Sequence, residues 1–191
     1  MEIVNKQNKL QNFQWYLLGI SLLLCAISVL FFEKITMNNG LSYDGSGYYQ
    51  IVKNFEDKIF GGNISVYYLK RSFPSAIVYG FFRIMNELCH LMGFSPINIT
   101  PKSVILSFSI ISMLGITGSN YYLFKIYDKF EFDKKLQILC FLLFNLTFIV
   151  AKWSFYYPVL TDHLALFIAV AMFYAYFFSK NYYLLTLFVT V

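Results

Sequence analysis

The sequence predicts an all-α protein, a polytopic membrane helix bundle with a first extracytoplasmic loop carrying two interfacial amphipathic helices. Three observations lead to this fold class. Of the 191 residues, 58% are hydrophobic and only 13% are charged, which is less charge than a soluble domain carries. Apolar runs of about membrane-spanning length recur along the chain, and short loops separate most of them. The one long loop, 33–102, is amphipathic in two places.

The apolar runs predict five membrane spans. A bilayer core about 30 Å thick needs about 20 helical residues to cross it. The first run meets this length without a charge, and four more follow the long loop, so that the spans are 13–32, 103–124, 136–153, 161–178 and 182–191. The last run reaches the final residue, so we expect the chain, 1–191, to be a single but incomplete transmembrane domain.

Lysine residues in the short loops predict the orientation of the bundle, because basic residues gather in cytoplasmic loops. They lie before the first span, around the loop between the second and third spans, and after the fourth span, at Lys6, Lys9, Lys125, Lys129, Lys134, Lys135 and Lys180. The N-terminus is therefore predicted in the cytoplasm, with a bacterial inner or plasma membrane as the location. The same lysines explain the net charge of +5 without a nucleic-acid partner.

Helical periodicity predicts two surface helices in the long loop. Over 46–60, apolar side chains recur at helical spacing opposite a charged side, at Tyr48, Ile51, Val52, Phe55 and Ile59. Over 74–92, a narrow polar stripe follows an otherwise apolar helix, at Arg83, Asn86, Glu87 and His90. Both helices are expected in the membrane interface. A tilted, protein-packed span is the alternative for the second, but it would move the lysine-rich loop out of the cytoplasm.

One isolated acid, Asp44, lies in the polar stretch NNGLSYDGSGYYQ just past the first span. A structural interpretation is that Asp and Ser cap a helix while the glycines permit a tight turn. A catalytic interpretation is that a carboxylate at the membrane surface acts as general base on an incoming hydroxyl. The carboxylate could also help to bind a divalent metal ion beside a phosphate, which is the one cofactor that the sequence leaves open.

Two further pairs of polar residues lie at predicted extracytoplasmic boundaries. Lys70 and Arg71 either extend to the interface or bind a lipid phosphate, to which Arg can make two parallel hydrogen bonds. Asp162 and His163 open the fourth span. They either stabilise the N-terminus of that helix or line a site, because an Asp-His pair at a membrane boundary is costly unless it faces protein or water.

These motifs resemble those of the GT-C superfamily of integral-membrane glycosyltransferases, which take sugars from polyprenyl-phosphate carriers. The resemblance is to the N-terminal membrane region of mannosyltransferases and arabinosyltransferases and covers roughly 13–178. Its parts are the first span followed by YDGSGYYQIV, LKRSFPSAIVYGFFRI, MGFSPIN and YYPVLTDHLALF. Family members are usually longer, with more spans, so the resemblance implies that this chain is truncated.

The resemblance implies transfer of a sugar from a polyprenyl-phosphate carrier to an acceptor hydroxyl of a glycan, lipid or protein on the extracytoplasmic face. Asp44 would be the catalytic residue, as a base or as a metal-linked carboxylate. Lys70 and Arg71 would bind the donor phosphate, and Asp162 with His163 would bind substrate in the same concave site. No second acid stands beside Asp44, which leaves metal use open. The alternative is a non-enzymatic multi-pass protein, a transporter or an assembly subunit of an envelope polysaccharide system.

Overall fold

A computed structural model shows a bundle of helices. It describes residues 10–31, 34–69, 72–147, 156, 159 and 162–179. In chain order the helices are α1 (Asn12–Phe31), α2 (Ser42–Lys53), α3 (Phe55–Ile59), α4 (Val66–Leu69), α5 (Phe73–Leu91), α6 (Pro101–Lys129), α7 (Lys134–Asn145) and α8 (Asp162–Tyr174), which continues into a π-helical turn at Ala175–Ser179. The described residues contain no β-strand. The predicted fold class, an all-α membrane helix bundle, is confirmed.

Three of the described helices are long and apolar enough to cross a membrane. They are α1 with 20 residues, α6 with 29 residues, and the 18-residue run formed by α8 with its π-helical turn. These three agree with the spans predicted at 13–32, 103–124 and 161–178. The predicted third span corresponds to α7 as far as Asn145. Residues 148–153 of that span, and the predicted fifth span at 182–191, lie outside the described residues.

Helix α6 is longer than the span predicted from its apolar run. At its start, Ser103 N donates a hydrogen bond to Thr100 Oγ1 at 3.2 Å, and Thr100 N donates one to Ser103 Oγ at 2.9 Å, with Pro101 in the first turn. This capping box satisfies amide groups that a helix start would otherwise leave unpaired. At its end the helix continues past Lys125 to Lys129. The predicted span stops before Lys125 because the apolar run ends there, whereas a helix can continue through charged residues.

Helices α1 and α8 both pack against α6, and small residues permit the close approach to α8. A Cβ atom at Gly115 would lie 2.8 Å from the carbonyl oxygen of His163, and one at Gly118 would lie 2.7 Å from ring atoms of Phe167. Side chains at these two positions would therefore push the helices apart. The glycine and serine content of the predicted second span serves close packing, as is usual in membrane helix pairs.

Two buried clusters of polar side chains connect α1, α6 and α7. In the first, which we call the Asn cluster, Asn120 Nδ2 donates to Ser21 Oγ and to Asn145 Oδ1, both at 3.1 Å, while Asn145 Nδ2 donates to Asn120 Oδ1 at 3.1 Å. In the second, Gln14 Nε2 and Gln137 Nε2 each donate to Asp128 Oδ1 at 3.0 Å. Such interhelical hydrogen bonds hold membrane helices together.

The first long loop folds into a small helical unit on the N-terminal half of α6. Its core consists of buried side chains from α2, α5, α6 and two connecting segments: Leu41, Tyr48, Ile51, Val52, Val78, Phe82, Val104, Phe108 and Val159. The apolar stripe predicted on the first loop helix belongs to this core, since Tyr48, Ile51 and Val52 are only 1%, 2% and 0% exposed.

The first predicted loop helix requires two corrections. It begins at Ser42 rather than at residue 46, and Asn54, with φ −121° and ψ 42°, divides it into α2 and α3. Its apolar stripe contacts protein, whereas the sequence interpretation assigned it to the membrane interface. Both environments exclude water, so the periodicity of a stripe cannot distinguish them.

Helix α5 matches the second predicted loop helix and has three different faces. One face packs in the core of the loop unit through Val78 and Phe82. A second carries the predicted polar stripe. The third is apolar and exposed, with Ile77, Phe81, Ile84, Leu88 and Leu91. Although α5 has 19 residues, it is not among the described helices that are apolar enough to span a membrane. This composition agrees with the interfacial interpretation.

Candidate functional site

The chain reaches Asp44 through a left-handed turn. Four residues just before it have positive φ angles, Asn38 at 53°, Asn39 at 59°, Gly40 at 88° and Ser42 at 65°. Asn and Gly tolerate this conformation better than other residues do. The turn is also held by a hydrogen bond of 2.9 Å from Asn38 Nδ2 to the carbonyl oxygen of Ser42. As a consequence α2 begins two residues before Asp44.

Asp44 lies inside the first turn of α2 and does not cap it. The N-cap position belongs to Leu41, which makes no side-chain capping hydrogen bond. The structural interpretation, in which Asp44 caps the helix, is therefore wrong. The side chain of Asp44 is partly buried, and none of the residues that the structure describes donates a hydrogen bond to its carboxylate. An acid in the first turn still interacts favourably with the helix dipole, by about 0.3–1 kcal/mol.

The segment before α8 contacts the turn of α2 that carries Asp44. A Cβ atom on Gly45 would lie 3.0 Å from Val159 Cβ, so the two backbones approach closely at this point. Val159 precedes Asp162 by three residues, and this contact therefore brings the start of α8 towards Asp44. No hydrogen bond joins Asp44 and Asp162 in the described part of the chain. The predicted shared site stays a prediction.

The two residues of the predicted Asp-His pair have different environments. Asp162 is exposed, whereas the side chain of His163 is 3% exposed and packs where α8 approaches α6. Of the pair, only Asp162 is open to a ligand in this structure. The predicted substrate-binding role therefore fits Asp162 better than His163.

The phenol ring of Tyr68 lies directly on α2 beside Asp44. A Cβ atom on Gly47 would overlap the Cζ, Oη and Cε1 atoms of Tyr68. The ring is held edge-on against Tyr48, with the ring centres 5.5 Å apart. Burial, together with the negative charge of Asp44, raises the pKa of Tyr68. The sequence interpretation did not identify Tyr68, because Gly47 gives no sign in the sequence of what occupies the space beside it.

Lys70 and Arg71, the predicted phosphate-binding pair, lie outside the described residues. Their binding of a donor phosphate stays a prediction.

The polar stripe of α5 forms contacts within the loop unit. Glu56 Oε1 accepts hydrogen bonds from Arg83 Nη1 at 2.6 Å and from Tyr79 Oη at 2.8 Å. Further along, Asn86 Oδ1 accepts a hydrogen bond from the backbone N–H of Ile97 at 2.6 Å. Arg83 therefore forms an ion pair that joins α3 and α5. A substrate phosphate would have to compete with Glu56 for the guanidinium group of Arg83.

A cleft of about 360 Å³ lies at the C-terminal end of α5, lined by Asn86, Glu87, His90, Phe94 and Pro96. It contains no residue that the sequence interpretation assigned to the catalytic site. Among the described residues, no group of three or more His, Cys, Asp or Glu side chains is placed to hold a metal ion. The divalent metal ion stays a prediction from the sequence.

No protein-family model, curated protein or solved structure matches the chain.

Proposed function

We propose that the protein is a membrane glycosyltransferase that moves a sugar from a polyprenyl-phosphate carrier to an acceptor hydroxyl on the extracytoplasmic face. The observation that carries the proposal is the position of Asp44. Asp44 is partly buried, its carboxylate receives no hydrogen bond from a described residue, and it belongs to a helix that packs on the end of a membrane-spanning helix. A free acceptor of protons, held in this way, suits a general base.

The packing of the helix that carries Asp44 supports a catalytic role for this residue. Helix α2 is fixed by the buried side chains of Tyr48, Ile51 and Val52, which pack against α5 and α6. A catalytic group must be held in its productive geometry, and a packed helix does this better than a free loop. Helix capping does not explain Asp44, because Leu41 occupies the N-cap position of α2.

The proposed transfer assigns each proton and electron pair. The acceptor hydroxyl gives its proton to Asp44, and its oxygen forms a bond to the anomeric carbon of the sugar. The bond from that carbon to the phosphate oxygen breaks, and the lipid phosphate leaves with the electron pair. Lys70 and Arg71 stabilise the charge on the leaving phosphate, and Asp162 binds the substrate from the side of α8. The acceptor is a glycan, a lipid or a protein.

The proposal is tested with radiolabelled lipid-linked sugars. Membranes containing the protein are incubated with a panel of polyprenyl-phosphate hexoses and pentoses, and with nucleotide sugars as the comparison. We expect label to leave at least one polyprenyl-phosphate donor and none of the nucleotide donors. Absence of transfer from every polyprenyl-phosphate donor would favour the alternative, a non-enzymatic transporter or assembly subunit.

A further inference from the structure

Asp44 and Tyr68 present two complementary hydrogen-bonding groups side by side. Positions 44 and 47 are three residues apart on α2, and side chains at this spacing are neighbours with Cβ atoms about 5–6 Å apart. Tyr68 Oη occupies the place that a side chain at Gly47 would take. The phenol hydroxyl therefore lies on the face of α2 that carries Asp44, near enough for the charge of Asp44 to act on it, although the two residues come from different helices.

The chemistry of this pair selects one kind of ligand. An ionised carboxylate only accepts hydrogen bonds, and a protonated phenol can donate one. A ligand atom that satisfies both must accept one hydrogen bond and donate another, as the oxygen of an alcohol does. The ionised phosphodiester of a polyprenyl-phosphate sugar has no proton to donate, and its negative charge would be repelled by Asp44. The pair thus fits a hydroxyl group better than it fits the lipid phosphate.

We propose that Asp44 and Tyr68 together bind one hydroxyl group of a polyol acceptor. Tyr68 Oη donates a hydrogen bond to the oxygen of that hydroxyl, and the hydroxyl donates its own proton to the Asp44 carboxylate. The inference rests on the proposed function and adds to it the acceptor subsite. In the transfer step the proton passes to Asp44 and Tyr68 keeps its own, so Tyr68 orients the nucleophile while Asp44 removes its proton.

Gly47 is the residue that makes this arrangement possible. Any side chain at position 47 overlaps the phenol of Tyr68 and displaces its hydroxyl from Asp44. Gly80, in the middle of α5, provides the matched control, since a Cβ atom there meets nothing within 4 Å. Gly47→Ala and Gly80→Ala make the same chemical change in two helices, but only the first alters the candidate subsite.

Fluorine NMR with 3-fluorotyrosine at position 68 tests the binding claim without any transfer activity. The probes are methyl α-D-mannopyranoside as a polyol and dimethyl phosphate as an anion without a proton to donate, in a detergent without hydroxyl groups. We expect the polyol to shift the resonance saturably and dimethyl phosphate to leave it unchanged. Asp44→Asn should weaken polyol binding at least about tenfold, as expected for loss of a charged hydrogen bond. Gly47→Ala should do the same, and Gly80→Ala should not.

The outcomes separate this inference from the proposed function. A response to dimethyl phosphate instead of the polyol, or no response to either, overturns the hydroxyl subsite. An acceptor KM that Tyr68→Phe leaves unchanged, in an enzyme that still transfers sugar, also overturns the hydroxyl subsite. That result leaves the transfer proposal intact. Polyol binding that depends on Asp44 and Gly47, in a protein without transfer activity, supports the subsite and counts against the glycosyltransferase.

Discussion

Glu56 joins two helices of the loop unit through one carboxylate oxygen. This oxygen accepts hydrogen bonds from Tyr79 and Arg83, so that α3 is tied to α5. Glu56 and Arg83 are both well exposed, and exposed ion pairs stabilise proteins only weakly. The pair should therefore affect the local opening of α3 more than the stability of the whole bundle.

The charge of Glu56 predicts a pH dependence for that local opening. The hydrogen bond from Tyr79, followed by the hydrogen bond and charge of Arg83, lowers the pKa of Glu56 below its usual 4.5. A carboxyl group with a lowered folded-state pKa stabilises above its unfolded pKa and stops doing so as pH falls through the folded pKa. We expect hydrogen-exchange protection of α3 to decline below pH 4.5. Glu56→Gln should reduce protection at neutral pH and remove this decline.

The neighbouring acid, Asp57, is the control for Glu56. It is exposed and accepts a hydrogen bond from Asn63, which lies in the same segment, so it does not connect α3 to α5. Asp57→Asn should leave the pH profile of protection unchanged. Equal profiles for Glu56→Gln and the wild type would show that the ion pair does not hold α3 in place.

At the scale of single residues, the sequence identifies Asp44 but not its neighbours. A lone acid in a polar, glycine-rich stretch stands out in an apolar chain. The role of Gly47 depends on where a distant residue, Tyr68, comes to lie, and no local pattern reports this. The start of α2 was also missed, because the left-handed turn at Asn38 and Asn39 places the helix earlier than the glycines in YDGSG suggest.

Among the helices, the Asn cluster makes α1, α6 and α7 depend on each other. Asn145→Leu removes the partner of a buried amide, since Asn120 Nδ2 donates to Asn145 Oδ1 at 3.1 Å. Hydrogen bonds of this kind in membranes contribute about 0.6 kcal/mol on average. We expect each single Leu substitution at Asn120 or Asn145 to destabilise the bundle by about 1 kcal/mol. The double substitution should cost clearly less than the sum.

This coupling is measured as the free energy of unfolding of the purified single and double variants in lipid bilayers or detergent micelles. Ser109→Ala is the control, because Ser109 is buried and, among the described residues, its hydroxyl bonds only to the carbonyl of Ile105 in its own helix. Its effect should add to that of Asn145→Leu. Strictly additive effects of the two Asn substitutions would show that the cluster does not couple the helices.

The exposed apolar face of α5 is predicted to lie in the membrane. Ile84 belongs to this face and is 63% exposed, whereas Glu87, less than one helical turn away, belongs to the polar stripe. A polarity-sensitive fluorophore attached to Ile84→Cys, in a background without native cysteines, should emit as in an apolar medium after reconstitution. The same fluorophore at Glu87→Cys should emit as in water. Identical spectra from the two positions would contradict an interfacial α5.

At the scale of elements, the sequence predicts the existence and type of the helices better than their contacts. Length and hydropathy identify α1, α6 and α8, because crossing a bilayer imposes both properties on a single segment. The stripe of α2 was assigned to the wrong partner, since protein and lipid both accept apolar side chains. The sequence does not predict the Asn cluster, because its three residues lie in separate apolar runs and no local pattern indicates that they contact each other.

For the whole molecule, the positions of the lysine residues predict which side of the membrane each loop occupies. Asp57 and Glu131 are both exposed, one in the loop unit and the other between α6 and α7. With Cys at one position at a time in a background without native cysteines, a membrane-impermeant thiol reagent applied to intact cells should label position 57 and not position 131. The reverse pattern would place the loop unit, and with it Asp44, in the cytoplasm.

In the proposed reaction the Asp44 carboxylate removes a proton from the acceptor at the extracytoplasmic surface. The rate of sugar transfer by Asp44→Asn, compared with that of Asp57→Asn at equal membrane insertion, measures this proton removal. Asparagine preserves the shape of the side chain but cannot take the proton. We expect Asp44→Asn to lower the rate by about 10²–10⁴-fold and Asp57→Asn to leave it unchanged. Transfer by Asp44→Asn at the wild-type rate would contradict the account.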